Sequence, residues 1–493
     1  MRVVIVGGGT VGLCTAVFLA RQGASVHVLE RRAKVNDHPR AFGISDRSAE
    51  ILREAGIEVD TAQIVAGLMR GSSLAELTAV TSQFERPEIG PDKLGHCPQD
   101  RIDRAALALL RDLGAQVDFD SEVVALADGG ATGGTGGAGV VTADGRVVTG
   151  DYVIGADGIR GRTRELLGIG VTGPGVTGGT AMLNVLFRAE LPAPPLSMAF
   201  LRTEQATGIL YRVDDTGRWI FHIPNGDPNT PIEQIQQQIR DATGVQEAEP
   251  EIISMLPWAP TAHLADAFRA GDFFLVGDAA HAVPPVGGFG LNGGIADGHN
   301  LAWKLVAGGD ALLDTYEAER RPVALLSMQQ SLIRAQNHQL HWNNDPALAA
   351  DRAAIGMTGI MIPVIGYRYD SAAVIDPEPL PDLENLVLDG APGSRLPHMW
   401  LPDGRSTVNL VDGFTLLAGT AGDHWLEAAR KLGIMAHAVP GWAEVANIKE
   451  DGAVLVRPDG FVGWRTATTQ ATESSEQQLR DVVDRILCRE RAS

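Results

Sequence analysis

The first thirty residues change hydrophobic period twice. RVVIV is a continuous apolar run, GGGT is a glycine turn, TVGLCTAVFLARQG carries apolar side chains at helical spacing, and SVHVLE is a second apolar run ending in an acid. That order predicts a strand, a tight turn, a helix and a second strand. Two later apolar runs, DYVIGAD at 151–157 and FFLVGD at 273–278, also stop at an acid. Between them, TAMLNVLFRAEL, SMAFLRT, TGILYRVDD and GRWIFHIP alternate apolar and polar positions and are separated by Pro, Gly and Asp. They predict strands of an antiparallel sheet. By alternation Trp219 and Phe221 share one face of their strand, and Ile220 and His222 the other. VVALAD and GVVTADGRVVTGDYVIGAD read as a hairpin extending the first sheet. The glycine-rich stretch 127–139 between them lacks the Lys-Ser/Thr and the helix of a P-loop and reads as a flexible connection. After residue 325 comes a helical stretch. The last hundred residues read strand, helix, strand, strand, strand, helix, with Asp459 and Gly460 at a hairpin turn.

A chain of 493 residues is long for one domain and predicts two or three. Its 44% hydrophobic content suffices for proper cores. The net charge of −20 argues against nucleic acid or an anionic membrane as partner. Cys14, Cys97 and Cys488 are far apart, so neither a disulfide framework nor a zinc site is expected, and no metal site is predicted. Cys14, inside the first helix, is expected to be buried packing. The N-terminus enters a strand directly, without the basic and apolar regions of a signal peptide. IGMTGIMIPVIGY is too short to span a bilayer. A cytoplasmic location is the resulting expectation.

The chemistry concentrates in three segments. Gly7, Gly9 and Gly12 form G-x-G-x-x-G between a strand and a helix: one glycine for the turn, one to admit a pyrophosphate, one for close helix–strand packing. Glu30 closes the next strand, where an acid binds a ribose hydroxyl, and Arg31 follows it. The motif alone does not separate NAD from FAD. The second segment, GDAAHAVPPVGGFGLNGGIADGHNLAWKL at 277–305, places Asp278 at a strand's carboxyl edge, where open α/β sheets bind ligands. Pro284 and Pro285 stiffen the following turn. Gly287, Gly288, Gly290, Gly293 and Gly294 let the backbone approach a ring system, and a helix is expected from near Asn292, its free N–H groups favouring negative charge. The third is DYVIGADGIRGRTRELLG, where Arg160 and Arg164 follow Asp157-Gly158 into a helix and suit phosphate recognition.

Together the three segments resemble the single-component, FAD-dependent aromatic hydroxylases, in the branch that includes chlorophenol and polyketide-ring hydroxylases. HPRAFGISDRSAEILREAG, CPQDRIDRAAL, LLDTYEAERRPVA and APGSRLPHMWLPDGRSTVNLVDGFTLLAG carry the resemblance across nearly the whole chain. It implies an α/β fold: a Rossmann-like FAD domain (1–75, 97–178, 265–325), an inserted antiparallel substrate domain (76–96, 179–264), a helical connection (326–388) and a thioredoxin-like domain (389–493). The last lacks the family's redox cysteines, which suits a structural or oligomerisation role, with a homodimer as candidate assembly. Implied FAD contacts are Gly7, Gly9, Gly12, Glu30, Arg31, Arg40, Gln99, Arg104, Asp157, Asp278, Pro285, Gly288, Gly290, Leu291 and Asn292. The family usually has serine at Gly161, which puts nicotinamide binding there in doubt.

The implied reaction uses NAD(P)H and dioxygen through a flavin C4a-hydroperoxide to hydroxylate a phenolic or polyketide-type ring. Pro284 and Pro285 lie by the reacting ring, with Arg47, Tyr211 and His222 as catalytic candidates. Asn184, Arg188, Tyr211, Trp219, Phe221 and His222 are candidates for the substrate wall. Baeyer–Villiger or epoxidising chemistry, or a small-molecule binding role on the same scaffold, are the alternatives. WIFHIP is close to the W-x-W-x-I-P motif of flavin halogenases but has Phe221 at the second tryptophan.

Overall fold

The computed structural model describes residues 1–59, 66–69, 74, 77–80, 88–128, 137–177, 181–192, 197–203, 206–343, 345–467 and 474–489. The strand–turn–helix–strand unit forms as expected: strand Arg2–Val6, helix α1 (Thr10–Arg21) and strand Ser25–Leu29. These belong to a six-stranded sheet ordered Arg269–Ala270, Phe273–Leu275, Tyr152–Gly155, Arg2–Val6, Ser25–Leu29, Gln116–Asp118. All neighbours are parallel except the first pair. Its central strands are mostly apolar because both faces are covered: Val3, Ile5, Val28 and Ile154 face helices, and Val4, Val6, Leu29 and Val153 face a small antiparallel sheet. Val6 pairs with Gly155, and Gly155 with Leu275. This register brings the ends of three strands far apart in sequence side by side, so the loops after Val6, Gly155 and Leu275 leave from adjacent carboxyl ends.

Helices α2 (Asp46–Glu54) and α3 (Gln99–Asp112) and a short turn of helix, α4 (Thr163–Leu166), precede α5 (Ile232–Thr243). Next come α6 (Phe289–Ala307) and α7 (Asp310–Gln336). Helices α1 and α6 cross closely: a Cβ on Gly298 would fall 2.1 Å from Thr15 Oγ1. Cys14 is buried in the same core, as expected.

The second sheet has seven strands, in the order Glu251–Trp258, Met182–Arg188, Arg218–Pro224, Thr207–Arg212, Met198–Arg202, Ala66–Met69, Leu77–Val80. It is antiparallel except where Met198–Arg202 meets Ala66–Met69. One face packs on α5: Leu183, Val185, Phe187, Leu201, Leu210, Trp219 and Phe221 join Ile235 and Ile239 in a closed core. The other face turns toward the six-stranded body, where Leu186, Ile220 and Tyr211 meet Phe42.

The C-terminal sheet runs Met435–Ala438, Thr415–Ala418, Ala453–Val456, Val462–Thr466, with helices Asp423–Lys431 and Ser475–Ile486. This is the element order read from the sequence apart from a further short helix, Trp442–Val445, between the second and third strands, and Gly460 takes φ +76° in the expected hairpin turn. Its core admits Trp303 of α6 and Leu312 of α7, so it is continuous with the first body.

Three expectations need correction. Strands Val123–Asp128, Ala138–Thr142 and Val147–Gly150 form a separate three-stranded sheet, not an extension of the parallel one. Val140 and Val148 pack against Val4 and Val153, because the outer face of the parallel sheet needs an apolar cover. The middle of the glycine-rich connection lies outside the described residues. Ala66–Met69 pairs with the second sheet, so the chain leaves the first body before residue 66, not after 75. Helix α7 runs through residue 325 without a break, so that position is no boundary.

Candidate active site

The glycine turn packs tightly on two sides and stays open on the third. Gly7 takes φ +110°, and a Cβ there would lie 2.4 Å from the Ala156 carbonyl oxygen. A Cβ on Gly12 would lie 2.0 Å from the Gly7 oxygen, so this glycine sets the helix–strand distance. Gly9 is different: nothing lies within 4 Å of its Cβ position. That open side, at the N-terminus of α1, is where a pyrophosphate would approach. No side chain caps α1 and no acid sits in its first turn. Glu30 is buried; its Oε2 accepts from the Gly8 N–H (2.7 Å) and its Oε1 from the Arg32 N–H (2.9 Å).

Cations gather at the same edge. Burial lowers the Arg40 pKa, and the repulsion of Arg32, Arg160 and Arg31 lowers it further, with Asp278 acting in opposition. Four guanidinium groups this close leave room for a strong anion to relieve them. Arg40 is further fixed by its backbone N–H donating to Gln99 Oε1 (3.3 Å) at the start of α3. Arg104, further along α3, is exposed and pairs with Asp37 (3.0 Å) and with the buried Asp100 (3.1 Å).

Asp157 folds back onto its own chain, one oxygen accepting from the N–H and the hydroxyl of Thr163 (2.9 Å each). A Cβ on Gly161 would lie 2.1 Å from the Asp157 carboxyl carbon, so glycine at 161 permits this conformation. Arg164 bonds the Ile169 carbonyl just beyond its own helix (2.7 Å) instead of facing the cleft, whereas Arg160 remains near Arg40.

On the third loop Gly277 takes φ +58° and Asp278 points its carboxylate into the open cleft, where the protein mass around it raises its pKa and His281 and Arg40 partly offset this. Behind it Asp297, fully buried, binds the Gly277 N–H (3.1 Å), His281 Nε2 (2.6 Å) and Arg320 Nε (2.7 Å). Burial pushes this carboxyl up, but His281 and Arg320 hold it down at about 2. Helix α6 begins at Phe289, three residues before the expected Asn292, because Gly288 turns left-handed (φ +69°) as its N-cap. Its first turn has no side-chain cap and no acid, so the N–H groups of Phe289, Gly290 and Leu291 can receive a negative edge. Asn292 bonds back to the Gly288 carbonyl (2.7 Å) and accepts from the Ser45 N–H (2.9 Å). Pro284 is buried with its carbonyl held by Ser331 (2.8 Å), and Pro285 is exposed beside it.

Opposite this cleft stands the free face of the second sheet. Its cross-strand neighbours are Asn184, His222, Ile209 and Phe200 in one row, and Leu186, Ile220, Tyr211 and Met198 in the next. Phe200, Ile209, Tyr211 and Met198 are half-buried, while alternate residues on the far face, such as Ala199, Leu201 and Leu210, are sealed. An apolar wall left partly open toward the cleft offers apolar surface to a ligand. Tyr211 stacks on Phe42 (5.3 Å between ring centres), and burial raises its hydroxyl to about 12, so it stays protonated. Trp219 and Phe221 belong to the core beneath α5, and Arg188 pairs with Glu251 at an exposed edge (3.2 Å). The way the sheet packs therefore removes these three from the candidate wall and keeps Asn184, Tyr211 and His222.

The comparisons with known proteins agree with this geometry. Residues 1–331 match the family model for the FAD binding domain, and residues 389–489 match that for the aromatic-ring hydroxylase C-terminal domain. The chain belongs to the FAD-dependent aromatic-ring hydroxylases. It is 34% identical to tetracenomycin A2 monooxygenase-dioxygenase of Streptomyces glaucescens, over 99% of this chain and 97% of that one. It is 32% identical to 4-methyl-5-nitrocatechol 5-monooxygenase of a Burkholderia species, over 99% and 97%. Among solved structures, a ternary complex of aklavinone-11 hydroxylase with FAD and aklavinone superposes with a TM-score of 0.86 at 32% identity, covering 99% of both chains. The flavin-dependent monooxygenase PieE in complex with FAD and substrate gives 0.83 at 28%, covering 99% and 100%.

FAD is thus the cofactor of this hydroxylase, and the open side of Gly9, the arginine group and the uncapped start of α6 fit it. Arg47 is not brought to the cleft. Its guanidinium binds Glu50 and the Asp459 carbonyl and lies over the Phe461 ring (5.7 Å), tying α2 to the C-terminal hairpin of the hydroxylase. Two residues that sequence reasoning missed hold the site together. Asp297 braces the Asp278 turn from within α6, at helical spacing from Gly293 and Gly294, where an acid inside an apolar glycine-rich helix was the available signal. His38, just before Pro39 and Arg40, meets Ser254 across the domain junction, and no local pattern announces a contact over 216 residues.

Proposed function

We propose that this hydroxylase uses NAD(P)H and dioxygen to hydroxylate a phenolic or polyketide-type aromatic ring. Bound FAD would supply the redox chemistry, accepting hydride and activating dioxygen. The half-open apolar wall facing the cleft carries the substrate reading: it suits a flat ring and offers few charges. The relatives favour it too, since their names denote tetracenomycin, aklavinone and nitrocatechol chemistry.

In this reading Gly9, the N-terminus of α1 and the arginines Arg31, Arg40 and Arg160 take the diphosphate, and Glu30 takes a ribose. Asp278 takes ribityl hydroxyls. The N–H groups at the start of α6 stabilise negative charge on the reduced ring. Pro284 and Pro285 border the reacting ring, Met198, Phe200, Ile209 and Tyr211 orient the substrate, and the apolar wall excludes water. Residues 1–59 with 97–178 and 265–336 act as the FAD body. The C-terminal domain, in the thioredoxin-like reading, serves as structure or as a dimer contact, and the enzyme works in the cytoplasm.

The test is product mass. With NAD(P)H, dioxygen and a panel of phenols and anthraquinone-type rings, a product heavier by one oxygen is expected, together with NAD(P)H oxidation that rises on adding the true substrate. Oxidation that no ring stimulates, with no oxygenated product, refutes the proposal.

A further inference from the structure

On the cleft-facing side of the second sheet lie two imidazoles that keep hydrogen-bonding capacity the protein does not use. His38, 4% exposed, comes from the loop before Arg40; its Nδ1 lies 2.6 Å from Ser254 Oγ, and its Nε2 is sealed without a partner. His222, 9% exposed, comes from the sheet. Its contacts are rings: Tyr211 at 4.8 Å and Trp258 at 6.0 Å between centres. No hydrogen bond from its ring reaches another described residue. Ser254 stands opposite Leu186 and Asn184 opposite His222, so both lie on the cleft-facing side of the sheet. The Asn184 amide oxygen is taken by the Trp258 indole N–H. Burial drives the His222 pKa down to about 3, helped by His38, and that of His38 to about 4, helped by Arg40. Both rings are therefore neutral at working pH; with the His38 Nδ1–H donating to Ser254 Oγ, its Nε2 keeps the lone pair, and neutral His222 keeps one as well, in a place where an unmade hydrogen bond is costly.

We propose that His222 and His38 together form an uncharged receptor for a hydroxyl group on the aromatic substrate, so that this site selects hydroxylated rings over their alkyl ethers. The proposal rests on the aromatic-substrate reading above. Tyr211 and Trp258 flank the receptor, and the apolar row Ile209–Phe200 carries the rest of the ring. A neutral acceptor orients a phenol O–H without the cost of burying an imidazolium. A site built to bond a hydroxyl discriminates strongly against an analogue that lacks the donor, because its own polar atoms are then left unpaired.

The test needs no turnover. The FAD-loaded, oxidised protein is titrated with 2-naphthol and 2-hydroxyanthraquinone and with their methyl ethers, reading the perturbation of the flavin spectrum. The hydroxyl compounds are expected to bind roughly tenfold or more tightly than the ethers. For the 2-naphthol pair, whose phenol stays protonated over this range, the preference should stay constant from about pH 5 to 8, since a ring held neutral does not titrate there. In His222→Phe and in His38→Leu, each checked for unchanged FAD content, the ratio should fall toward one while the ethers still bind. Equal binding within each pair, failure of the hydroxyl compounds to bind, survival of the preference in either variant, or a preference that titrates with a midpoint near the ordinary histidine value of about 6.5 overturns the receptor. Absence of oxygenated product from every ring would instead overturn the aromatic hydroxylase reading, and that result is independent of these titrations.

Discussion

Single residues at the flavin edge divide between those that shape the backbone and those that leave space. Gly12 and Gly9 are both glycines of one motif, yet a Cβ meets a carbonyl 2.0 Å away at Gly12 and nothing within 4 Å at Gly9. Gly9→Val should therefore leave the fold intact and weaken FAD retention, whereas Gly12→Val should destabilise the protein itself. Asp278→Ala should also weaken FAD retention, by roughly tenfold or more if its carboxylate bonds the ribityl hydroxyls. Flavin absorbance retained after desalting, alongside a thermal melt, separates these effects. Unchanged retention in Asp278→Ala would refute its assignment. At this scale Gly7, Gly9, Gly12, Glu30 and Asp278 were legible because each sits at a fixed offset from a strand end. Asp297 and His38 were not, because their partners come from other elements.

At the scale of elements, the strand Arg218–Pro224 shows what periodicity does and does not decide. Alternation splits Trp219 and Phe221 from Ile220 and His222, but both sets are apolar or aromatic enough to face either way. Helix α5 decides, covering one face and sealing Phe221 to 1% exposure. Phe221→Ala should cost about 3–5 kcal/mol of stability. Ile209→Ala, half-buried on the cleft side in the row of His222, should instead weaken substrate binding more than it changes stability or FAD content. Denaturant unfolding and substrate titration of both variants check this, and the reverse pattern would contradict the assigned faces. Helix α6 teaches a similar point. The sequence points to a start near Asn292, whereas Gly288 ends the turn through its backbone conformation, which a run of glycines does not localise.

At the scale of the whole molecule, the C-terminal domain is held to the flavin body by a buried ionic cluster. Glu319 of α7 binds Lys304 (2.7 Å) and both ends of Arg457 (2.6 and 2.8 Å), while Arg457 also binds Asp459, itself bonded by Asn300 (2.9 Å). Burial opposes the charge on Glu319, but Arg457 and Lys304 hold its carboxyl well below the usual range. Next in the helix, Arg320 links Asp297 to the hydroxyls of Tyr367 and Tyr369 (3.0 and 3.1 Å), so the brace of the Asp278 turn continues into the connection before this domain. Removing one member leaves the others buried and unpaired. Arg457→Ala should cost about 3–5 kcal/mol and release FAD at a lower temperature. A melt followed by flavin fluorescence reads this, and an unshifted transition would show that the domain is merely appended. For Asp297 the folded pKa lies below the unfolded one. Its contribution is therefore complete above about pH 4 and is lost as pH falls toward 2.

The sequence by itself determined the cofactor-binding turn, the order of elements and the family, because glycine spacing, strand-end acids and hydrophobic period are local properties of a chain. The tertiary structure alone decided which strand face meets the cleft, that Arg47 serves an interdomain junction, and that His38, Ser254 and His222 converge. Those outcomes depend on parallel register, on the helix that covers a sheet and on charges that must find partners once buried. Such constraints act between residues up to 412 positions apart, as for Arg47 and Asp459, and leave no periodic trace along the chain.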